Sequence, residues 1–341
     1  MRTIDWVDGG IELVDQTMLP HELSVPRVDD IDALIHAISR LAVRGAPALG
    51  VAGAFGVALL AAAHPGDPGT VRREASRLRA ARPTAVNLGW GVDRALAVLD
   101  AGPEEVLAEA ERIRDEDIAA CISMGLYGAD LVRELVGRAR PRIMTICNTG
   151  ALATVEPGTA LGVILTLHEQ GALEEAIPLE TRPLLQGSRL TAWELSRAGV
   201  PFRLVVDSAG PFLLARGEAD AVMIGADRIA ADGDTANKIG SFSLALAARH
   251  AGVPFFVVAP ESTVDMGTPG GDAIDIEDRG AAEVVAFRSE RTAPNGTRAI
   301  NPAFDITPYE LITAIVTDRR VIHLDKGDTL AGTPLGDTRT I

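Results

Sequence analysis

The sequence is poor in the residues that mark disulfide-bonded and nucleic-acid-binding proteins. Aromatic residues make up 4% of its 341 residues, and there are only two cysteines. The core must therefore be built from Ala, Val, Leu and Ile, and a disulfide scaffold is excluded. Only two of the 32 basic residues are lysines. The net charge of -15 would repel a phosphodiester backbone unless a local basic patch existed. We find no such patch and expect no nucleic-acid partner.

Long hydrophobic runs are also scarce. The single long stretch without charge, residues 46–63, contains Pro47 and three glycines and is rich in small residues. A membrane span needs about 20 strongly apolar residues, so this stretch predicts a tightly packed, buried helix instead. The first residues also lack the apolar segment of a secretory signal. We therefore expect no membrane association and a cytoplasmic location.

Residues 1–122 predict a mainly helical domain that begins with a short β-hairpin. Residues 2–16 alternate polar and apolar side chains around Asp8-Gly9-Gly10, a pattern typical of a hairpin. Periodicity and turn residues then predict helices over 29–42, 46–63, 68–81 and 103–138.

Residues 123–341 predict a Rossmann-like catalytic domain, so the fold class is α/β. Short apolar runs alternate with helical stretches, which is typical of a doubly wound parallel sheet. Ligands bind beyond the carboxyl ends of the strands in such sheets. The expected strands are 142–146, 177–180, 202–206, 221–224, 255–259 and 321–323, and the expected helices are 159–171, 188–199, 211–217 and 239–251.

The usual nucleotide and hydrolase motifs are absent. The sequence has no GxGxxG or GxxxxGK[ST] loop, no GxSxG elbow and no HExxH pair. Its six histidines show no ligand spacing, and the two cysteines are far apart. The standard nucleotide-binding and zinc-binding signatures are therefore missing.

Polar clusters follow the predicted strands, and we expect them on one rim of the sheet. Several side chains around them are donors that a small anion such as phosphate needs. Arg44-Gly45-Ala46 also precedes a helix whose backbone N–H groups suit an anion, although Arg44 alone is equally typical of a helix start. The clusters are 147–150, 180–183, 186–189, 207–210 and 225–228, with 237–241 expected to open a helix, and the further donors are Arg82, Arg182, Gln186, Asn237 and Lys238.

Two side chains at strand ends allow both a catalytic and a structural interpretation. Cys147 follows a strand near an expected helix N-terminus, which would favour a reactive thiolate, but buried cysteines are often inert. Asp227 follows an apolar strand, where a carboxyl would stay protonated and act as a general acid. It would equally serve as a helix N-cap or pair with Arg228. Asp207 allows the same two interpretations.

Together these segments resemble the methylthioribose-1-phosphate isomerases of the translation-initiation-factor 2B alpha/beta/delta-like family. The resemblance runs from Arg2 to about Val321. Any one block would be a weak signal, but their number and order are specific. The blocks are VRGAPA at 43–48, RPTAVNL at 82–88, CNTG at 147–150, ETRP at 180–183, QGSRLTAWEL at 186–195, GADRI at 225–229, NKIG at 237–240 and NPAFD at 301–305.

The resemblance implies an aldose–ketose isomerase that acts on a sugar phosphate without cofactor or metal and forms a homodimer. Cys147 matches the family's catalytic cysteine and Asp227 its proton donor. A modest departure occurs at 207–210, where a smaller stretch is expected after the aspartate. The positions that match substrate contacts are Arg44, Gly45, Ala46, Arg82, Gln186, Asn237 and Lys238.

Two alternatives stay open. Isomerases of this fold that act on 5-deoxyribose 1-phosphate or ribose 1,5-bisphosphate differ at the 5-position of the sugar. The shortage of lysine favours an apolar 5-substituent over a second phosphate. The regulatory subunits of the eukaryotic initiation exchange factor share the fold without catalysis, but here Cys147, Asp227 and the Asn237-Lys238 pair all stand in matching motifs.

Overall fold

The computed structural model describes residues 1–82, 85–287 and 290–334, and the chain forms two compact units. The first unit contains Met1–Ile122 and Thr149–Gly158, and the second contains Ser123–Asn148 and the described residues from Thr159 onward. The segment after Asn148 thus packs with the first unit, whereas the sequence analysis assigned it to the second domain. The predicted boundary at 122/123 stays a prediction. Pro83 and Thr84 of the RPTAVNL block lie outside the described residues.

The first unit combines a three-stranded sheet, in the order β1-β2-β3, with helices. The predicted hairpin is confirmed, because Ile4 pairs with Leu13 in an antiparallel ladder. Asp8 and Gly9 form its turn with φ of +48° and +87°, as the two-residue turns of hairpins require. The elements are β1 (Ile4–Val7), β2 (Gly10–Leu13), β3 (Arg27–Val28), α1 (Ile31–Ser39), α2 (Ala46–Ala63), α3 (Pro68–Arg79), α4 (Val86–Leu96) and α5 (Pro103–Leu135), whose C-terminal part lies in the second unit.

Helix α2 is the centre of the first unit's core, as its composition predicts. Within the described residues it is the one helix long and apolar enough to cross a membrane, but 78% of that window is buried in the fold. Small residues let α4 cross it closely. A methyl group on Gly91 would overlap the carbonyl oxygen of Gly50, so only glycine fits at this crossing. The small-residue content of 46–63 therefore serves helix packing.

The second unit contains a six-stranded sheet, in the order β15-β14-β9-β6-β4-β5, which confirms the predicted Rossmann-like fold class. Five strands are parallel and β15 is antiparallel to β14. Strand β14 was not predicted. The stretch 202–206 forms only two isolated bridges, at Phe202 and Val205. The strands are β4 (Arg142–Thr145), β5 (Glu175–Pro178), β6 (Ala221–Ile224), β9 (Phe255–Val258), β14 (Ala314–Val316) and β15 (Val321–Ile322).

The strand order places a topological switch point between β4 and β6. The chain moves from β4 to β5 on one side, and β6 then returns to the other side of β4. In doubly wound sheets the ligand crevice opens at such a point, beyond the carboxyl ends of the strands. Cys147 follows β4 and Asp227 follows β6, so both residues stem from the strands that flank this position.

A four-stranded sheet, in the order β10-β7-β8-β13, accompanies the main sheet. It corrects one prediction, because Asn237 and Lys238 end strand β8 rather than open a helix. Its strands are β7 (Arg228–Ala230), β8 (Thr235–Lys238), β10 (Val264–Asp265) and β13 (Phe304–Thr307), and β11 (Ala286–Phe287) and β12 (Glu290–Arg291) form a separate hairpin. The helices are α6 (Ala160–Glu169), α7 (Ala192–Arg197), α8 (Ala209–Ala215), α9 (Ser241–Ala251) and α10 (Ala282–Val285), with a π-helical turn at Gly187–Thr191 before α7.

Candidate functional site

Cys147 occupies an unusual backbone position at the end of β4. It is 8% exposed and has a φ of +67°, in the left-handed region that L-residues rarely adopt. Its N–H donates to Thr181 Oγ1 at 2.9 Å, and its carbonyl oxygen accepts from Thr191 Oγ1 at 2.6 Å. The expected helix N-terminus does not follow closely, because α6 begins only at Ala160. Threonine hydroxyls from neighbouring loops hold the cysteine instead.

Asp207 binds the loop after β5 and does not act as a helix cap. Its two carboxylate oxygens accept the N–H groups of Thr181 and Arg182, each at 2.7 Å. Helix α8 begins at Ala209 after Ser208 and has no side-chain cap. The structural role of Asp207 is therefore not that of a helix cap: its carboxylate fixes the loop that carries Thr181.

Gln186 lies on the same loop and has an unsatisfied polar atom. It is 4% exposed, and no described residue lies within hydrogen-bond distance of its Oε1. The loop is tied to β5, since Leu185 N donates to Thr181 O at 2.7 Å and Ser188 N donates to Glu180 O at 3.3 Å. A buried acceptor without a partner is costly. It points to a ligand that supplies a donor.

Lys238 is a buried cation at the end of β8. It is 7% exposed, its Nζ donates to Ala303 O at 2.8 Å, and it lies 4.8 Å from the ring centroid of Phe304. Across residues 1–82, 85–287 and 290–334, no carboxylate oxygen lies within 4.0 Å of this ammonium. Buried charges are normally paired. An ammonium held by a neutral carbonyl is therefore suited to bind an anion.

Asn237 and Asp305 support this end of the small sheet. Asn237 Nδ2 donates to Ser241 Oγ at 2.9 Å, and Asp305 pairs with Asn237 across the ladder. The Asp305 carboxylate accepts from Gly240 N at 2.7 Å and Phe242 N at 3.2 Å, at the start of α9. Burial raises the pKa of Asp305 to about 6, although these N–H groups and Lys238 lower it. Asp305 thus caps α9 directly behind Lys238.

Asp227 reaches the same end of the small sheet but is not buried. Its N–H donates to Ala236 O at 2.9 Å, which places it beside Asn237 across the β7–β8 hairpin. The expectation of an apolar pocket around its carboxyl is wrong for this chain, since Asp227 is exposed. The hairpin turns away from the sheet directly after Ala226, so the apolar strand does not enclose the carboxyl. Asp227 is not a helix cap either, because strand β7 follows it. The ion pair of Arg228 is with Asp265, at 3.7 Å.

The structure brings most of the second unit's polar clusters to one rim, as predicted. The loops after β4 and β5 meet through Cys147 and Thr181, and Asp207 joins them. Gly240 lies against Ile146, the residue before Cys147, because a methyl group there would come within 2.8 Å of Ile146 Cδ1. The cluster at residues 237–241 therefore borders the loop that carries Cys147.

Arg44, Gly45, Ala46 and Arg82 belong to the first unit. Arg44 Nε donates to Gln16 Oε1 at 3.2 Å, and Gln16 Nε2 donates to Leu152 O at 2.6 Å. Gly45 is the N-cap of α2 with a φ of +91°, and Ala46 is the first residue of the helix. Arg82 is partly buried and follows α3, next to residues outside the described part of the chain.

Sequence reasoning missed three residues that hold the site together: Thr181, Thr191 and Asp305. All three stand in the sequence blocks quoted above. Thr181 follows a predicted strand, which was the available signal for it, whereas Thr191 lies in the π-helical turn and Asp305 within β13. A side chain that binds a distant backbone group leaves no local pattern. Their partners lie 34, 44 and 65 residues away along the chain.

The fold and this rim define a doubly wound α/β protein with polar side chains gathered at the ends of its strands. Residues 42–323 match the family model described as the initiation factor 2 subunit family. Because this match covers most of the chain, the protein belongs to the initiation factor 2 subunit family. The resemblance stated from the sequence blocks is confirmed.

Relatives with named activities cover nearly all of the chain. A protein of Anaeromyxobacter sp. (strain K) named methylthioribose-1-phosphate isomerase is 51% identical over 94% of this chain and 93% of its own length. A Nocardia farcinica protein named a probable bifunctional methylthioribose-1-phosphate isomerase/methylthioribulose-1-phosphate dehydratase is 51% identical over 95% of this chain. The chain spans 60% of that longer relative. A Moorella thermoacetica protein named 5-deoxyribose 1-phosphate isomerase is 44% identical over 98% of this chain and 98% of its own length.

Solved structures give the same fold. The 5-methylthioribose 1-phosphate isomerase from Pyrococcus horikoshii OT3 superimposes with a TM-score of 0.86 at 39% identity, covering 94% of this chain and 92% of that one. The translation initiation factor eIF-2B subunit delta from A. fulgidus has a TM-score of 0.85 at 40% identity, covering 95% of this chain and 96% of that one. The fold is therefore shared by proteins whose names imply different functions.

Proposed function

We propose that this protein is an aldose–ketose isomerase that converts 5-methylthioribose 1-phosphate into 5-methylthioribulose 1-phosphate in methionine salvage. The relatives named for this reaction, at about 50% identity over nearly the whole chain, support the activity. The residues assigned below are supported by their position in the fold and by the chemistry of their side chains.

The observation that carries the proposal is the buried ammonium of Lys238. It lies at the end of β8, two residues before Gly240, which borders Ile146 at the end of β4, and it donates to a neutral carbonyl. A phosphate would give this charge the partner that the protein itself does not supply within 4.0 Å among the described residues. Lys238 and Asn237 therefore bind the phosphate in this account.

Gln186 is assigned to the sugar. Its Oε1 is a buried acceptor that lacks a donor among the described residues, and sugar hydroxyls are donors. The remaining contacts with the substrate are assigned to Arg44, Gly45, Ala46 and Arg82. The position of Gly45 and Ala46 at the start of α2 supports this assignment, since the N–H groups at a helix start suit an anion.

The reaction begins with a ring that cannot open by itself, because phosphate occupies the anomeric oxygen. Asp227 donates a proton to the ring oxygen, the bond between that oxygen and C1 breaks, and a hydroxyl forms at C4. The carboxyl of Asp227 is exposed. A bound phosphate dianion nearby would favour the protonated form, because like charges disfavour ionisation.

The hydrogen on C2 must then reach C1, while the hydroxyl on C2 gives its proton to the Asp227 carboxylate, which restores the acid, and becomes the ketone. In a hydride route the hydrogen moves with its electron pair directly to C1. In an enolate route Cys147 removes it as a proton, and C1 is protonated afterwards. Turnover in D₂O separates these routes, because only the enolate route places deuterium on C1 of the ketose.

The arginines at the strand ends favour an apolar group at the 5-position. Arg182, after β5, donates to the carbonyls of Pro183, Glu283 and Val284, and Arg228 pairs with Asp265. A second phosphate would have to compete with these partners. The 44% identity to a protein named 5-deoxyribose 1-phosphate isomerase makes that sugar, with its apolar 5-methyl group, the second candidate substrate.

The test is to follow ketose formation by NMR with 5-methylthioribose 1-phosphate, 5-deoxyribose 1-phosphate and ribose 1,5-bisphosphate in parallel. We expect the highest kcat/KM for the methylthio sugar and the lowest for the bisphosphate. Preference for the deoxy sugar would replace the substrate but keep the reaction. A folded protein that turns over none of the three would refute the proposal and favour a non-catalytic role.

A homodimer and a cytoplasmic location complete the proposal, both on the strength of the resemblance. Light scattering of the purified protein tests the first, since a dimer has twice the 35.8 kDa mass of the chain. Fractionation of the source cells tests the second.

A further inference from the structure

The backbone of Cys147 is held by hydroxyl groups and not by the sheet. Thr181 Oγ1 accepts the Cys147 N–H and donates to Leu179 O at 3.0 Å, so both functions of this hydroxyl are used. Thr191 Oγ1 donates to the Cys147 carbonyl. Both threonines are buried, with exposed fractions of 0% for Thr181 and 1% for Thr191. We call Thr181 and Thr191 the hydroxyl clamp.

Two residues of this arrangement have strained backbones. Cys147 and Thr181 have φ of +67° and +65°, and a β-branched residue in this region is a clear outlier. The surrounding contacts must maintain such conformations. Asp207 supplies them for Thr181, because its two oxygens bind the N–H groups of Thr181 and Arg182.

The left-handed turn also decides where the thiol points. Side chains alternate between the two faces of a strand, and the positive φ at Cys147 ends that alternation directly after β4. The direction of the Cys147 side chain therefore follows from the left-handed turn that the clamp binds, and not from the alternation of β4. Strained residues of this kind cluster at active sites, where they preorganise reacting groups.

We propose that Thr181, held by Asp207, and Thr191 are positioning residues that fix the thiol of Cys147 for the isomerisation. This inference rests on the proposed function, because it assigns a task to the catalytic cysteine. The hydroxyl of Thr181 carries the effect, so its removal lowers kcat and leaves KM unchanged.

The decisive comparison is Thr181→Val against Thr181→Ser. Valine keeps the shape and removes the hydroxyl, whereas serine keeps the hydroxyl. We expect kcat to fall at least ten-fold in Thr181→Val with KM within two-fold of wild type, and kcat in Thr181→Ser to stay within three-fold. Thr166→Val is the matched control, since its hydroxyl donates to Gly162 O inside α6, and it should keep wild-type kinetics.

Alkylation by iodoacetamide gives a readout that does not depend on the reaction. The rate at Cys147 is measured by mass spectrometry, with buried Cys121 as the internal reference. We expect at least five-fold faster alkylation of Cys147 in Thr181→Val, because the cysteine can leave its buried left-handed position, and an unchanged rate at Cys121. Thr181→Ser and Thr166→Val should match wild type.

These readouts separate failure of the clamp from failure of the proposed function. If wild type isomerises none of the sugars but alkylation follows the expected pattern, the proposed function is wrong and the clamp stands. Wild-type kcat and alkylation in Thr181→Val would overturn the clamp, as would an equal loss of kcat in Thr181→Ser. Should Thr181→Val not fold, Asp207→Asn replaces it, since asparagine offers one acceptor oxygen for two N–H groups. An unchanged kcat there would contradict the proposal.

Discussion

Replacing Lys238 with methionine should make the protein more stable and less active. Methionine keeps an unbranched chain and removes the charge. Burying an ammonium costs several kcal/mol, offset here by the bond to Ala303 O, about 1.5–3 kcal/mol, and by the Phe304 ring, about 0.5–2 kcal/mol. We expect the remaining cost to appear as a gain in the free energy of unfolding, reduced by the attraction that the Asp305 and Glu283 carboxylates exert on the ammonium. The Ala303 carbonyl keeps a second donor, Ile239 N at 3.3 Å.

The same change should weaken the reaction. A hydrogen bond from a charged donor to the phosphate is worth about 1.5–3 kcal/mol, which corresponds to a loss of about 10–150-fold in kcat/KM. Stability and activity thus move in opposite directions, as expected where a site retains an unfavourable charge for its ligand. A lysine that only supports the fold would lose stability when its charge is removed.

The assay combines thermal unfolding without substrate and initial rates of ketose formation. Lys326→Met is the matched control, because this other lysine is half exposed and pairs with Glu134 at 3.3 Å. An exposed pair contributes little, so this variant should change the free energy of unfolding by less than about 0.5 kcal/mol and leave kcat/KM unchanged. A destabilised Lys238→Met variant with wild-type kcat/KM would refute the reasoning.

Three further substitutions test other parts of the molecule. Gly45→Ala should destabilise the first unit by about 2 kcal/mol or more, because an L-residue resists the φ of +91° and its methyl group would lie 2.6 Å from Ala153 Cα. The control Gly66→Ala should cost less, because this glycine has a similar φ of +85° but nothing within 4 Å of the added methyl group. Equal losses of Tm in the two variants would contradict the overlap argument. Burial raises the pKa of Asp117 to about 7 from 3.8, so the folded state holds a proton that the unfolded state releases, and stability falls as the pH rises from about 4 to 7. Asp117→Asn should therefore raise Tm at pH 8 and not at pH 4, and an equal shift at both pH values would exclude this group. Asp227→Asn should keep binding of the sugar phosphate within about two-fold and lose most of kcat, since an amide cannot donate the proton; normal turnover would show that another group protonates the ring oxygen.

The main sheet was predictable where local pattern and burial agree. Strands β4, β6 and β9 are short apolar runs between turn residues, and all three are found close to their expected bounds. The sequence does not reveal which strands pair, so the switch point between β4 and β6 required the structure. Strand β14 was missed because its three apolar residues, Ala314–Val316, are too few to show a pattern.

The small sheet shows where local patterns mislead. Thr235–Lys238 contains polar side chains without alternation, yet every residue is buried by its neighbours β7 and β13. The glycine and serine that follow suggested a helix start, which the structure places at Ser241. Asp227 was expected in an apolar pocket for a similar reason, since only its preceding neighbours are apolar and the hairpin carries it outward.

The candidate residues could be located from the sequence, but the contacts that position them could not. Cys147 and Gln186 follow strands and Lys238 ends one, each in a recognisable sequence block. The hydroxyl clamp and the cap on α9 join residues 34 to 65 positions apart, and such pairs depend on how loops from different strands meet.

Turnover of 5-methylthioribose 1-phosphate by the wild-type protein and by Lys238→Met, followed side by side by ³¹P and ¹H NMR, tests the central claim most directly. The account predicts that the wild type forms the ketose with its phosphate retained, and that the variant does so with at least ten-fold lower kcat/KM although it is the more stable protein. Absence of ketose with the folded wild-type protein, or equal rates for the two proteins, would contradict it.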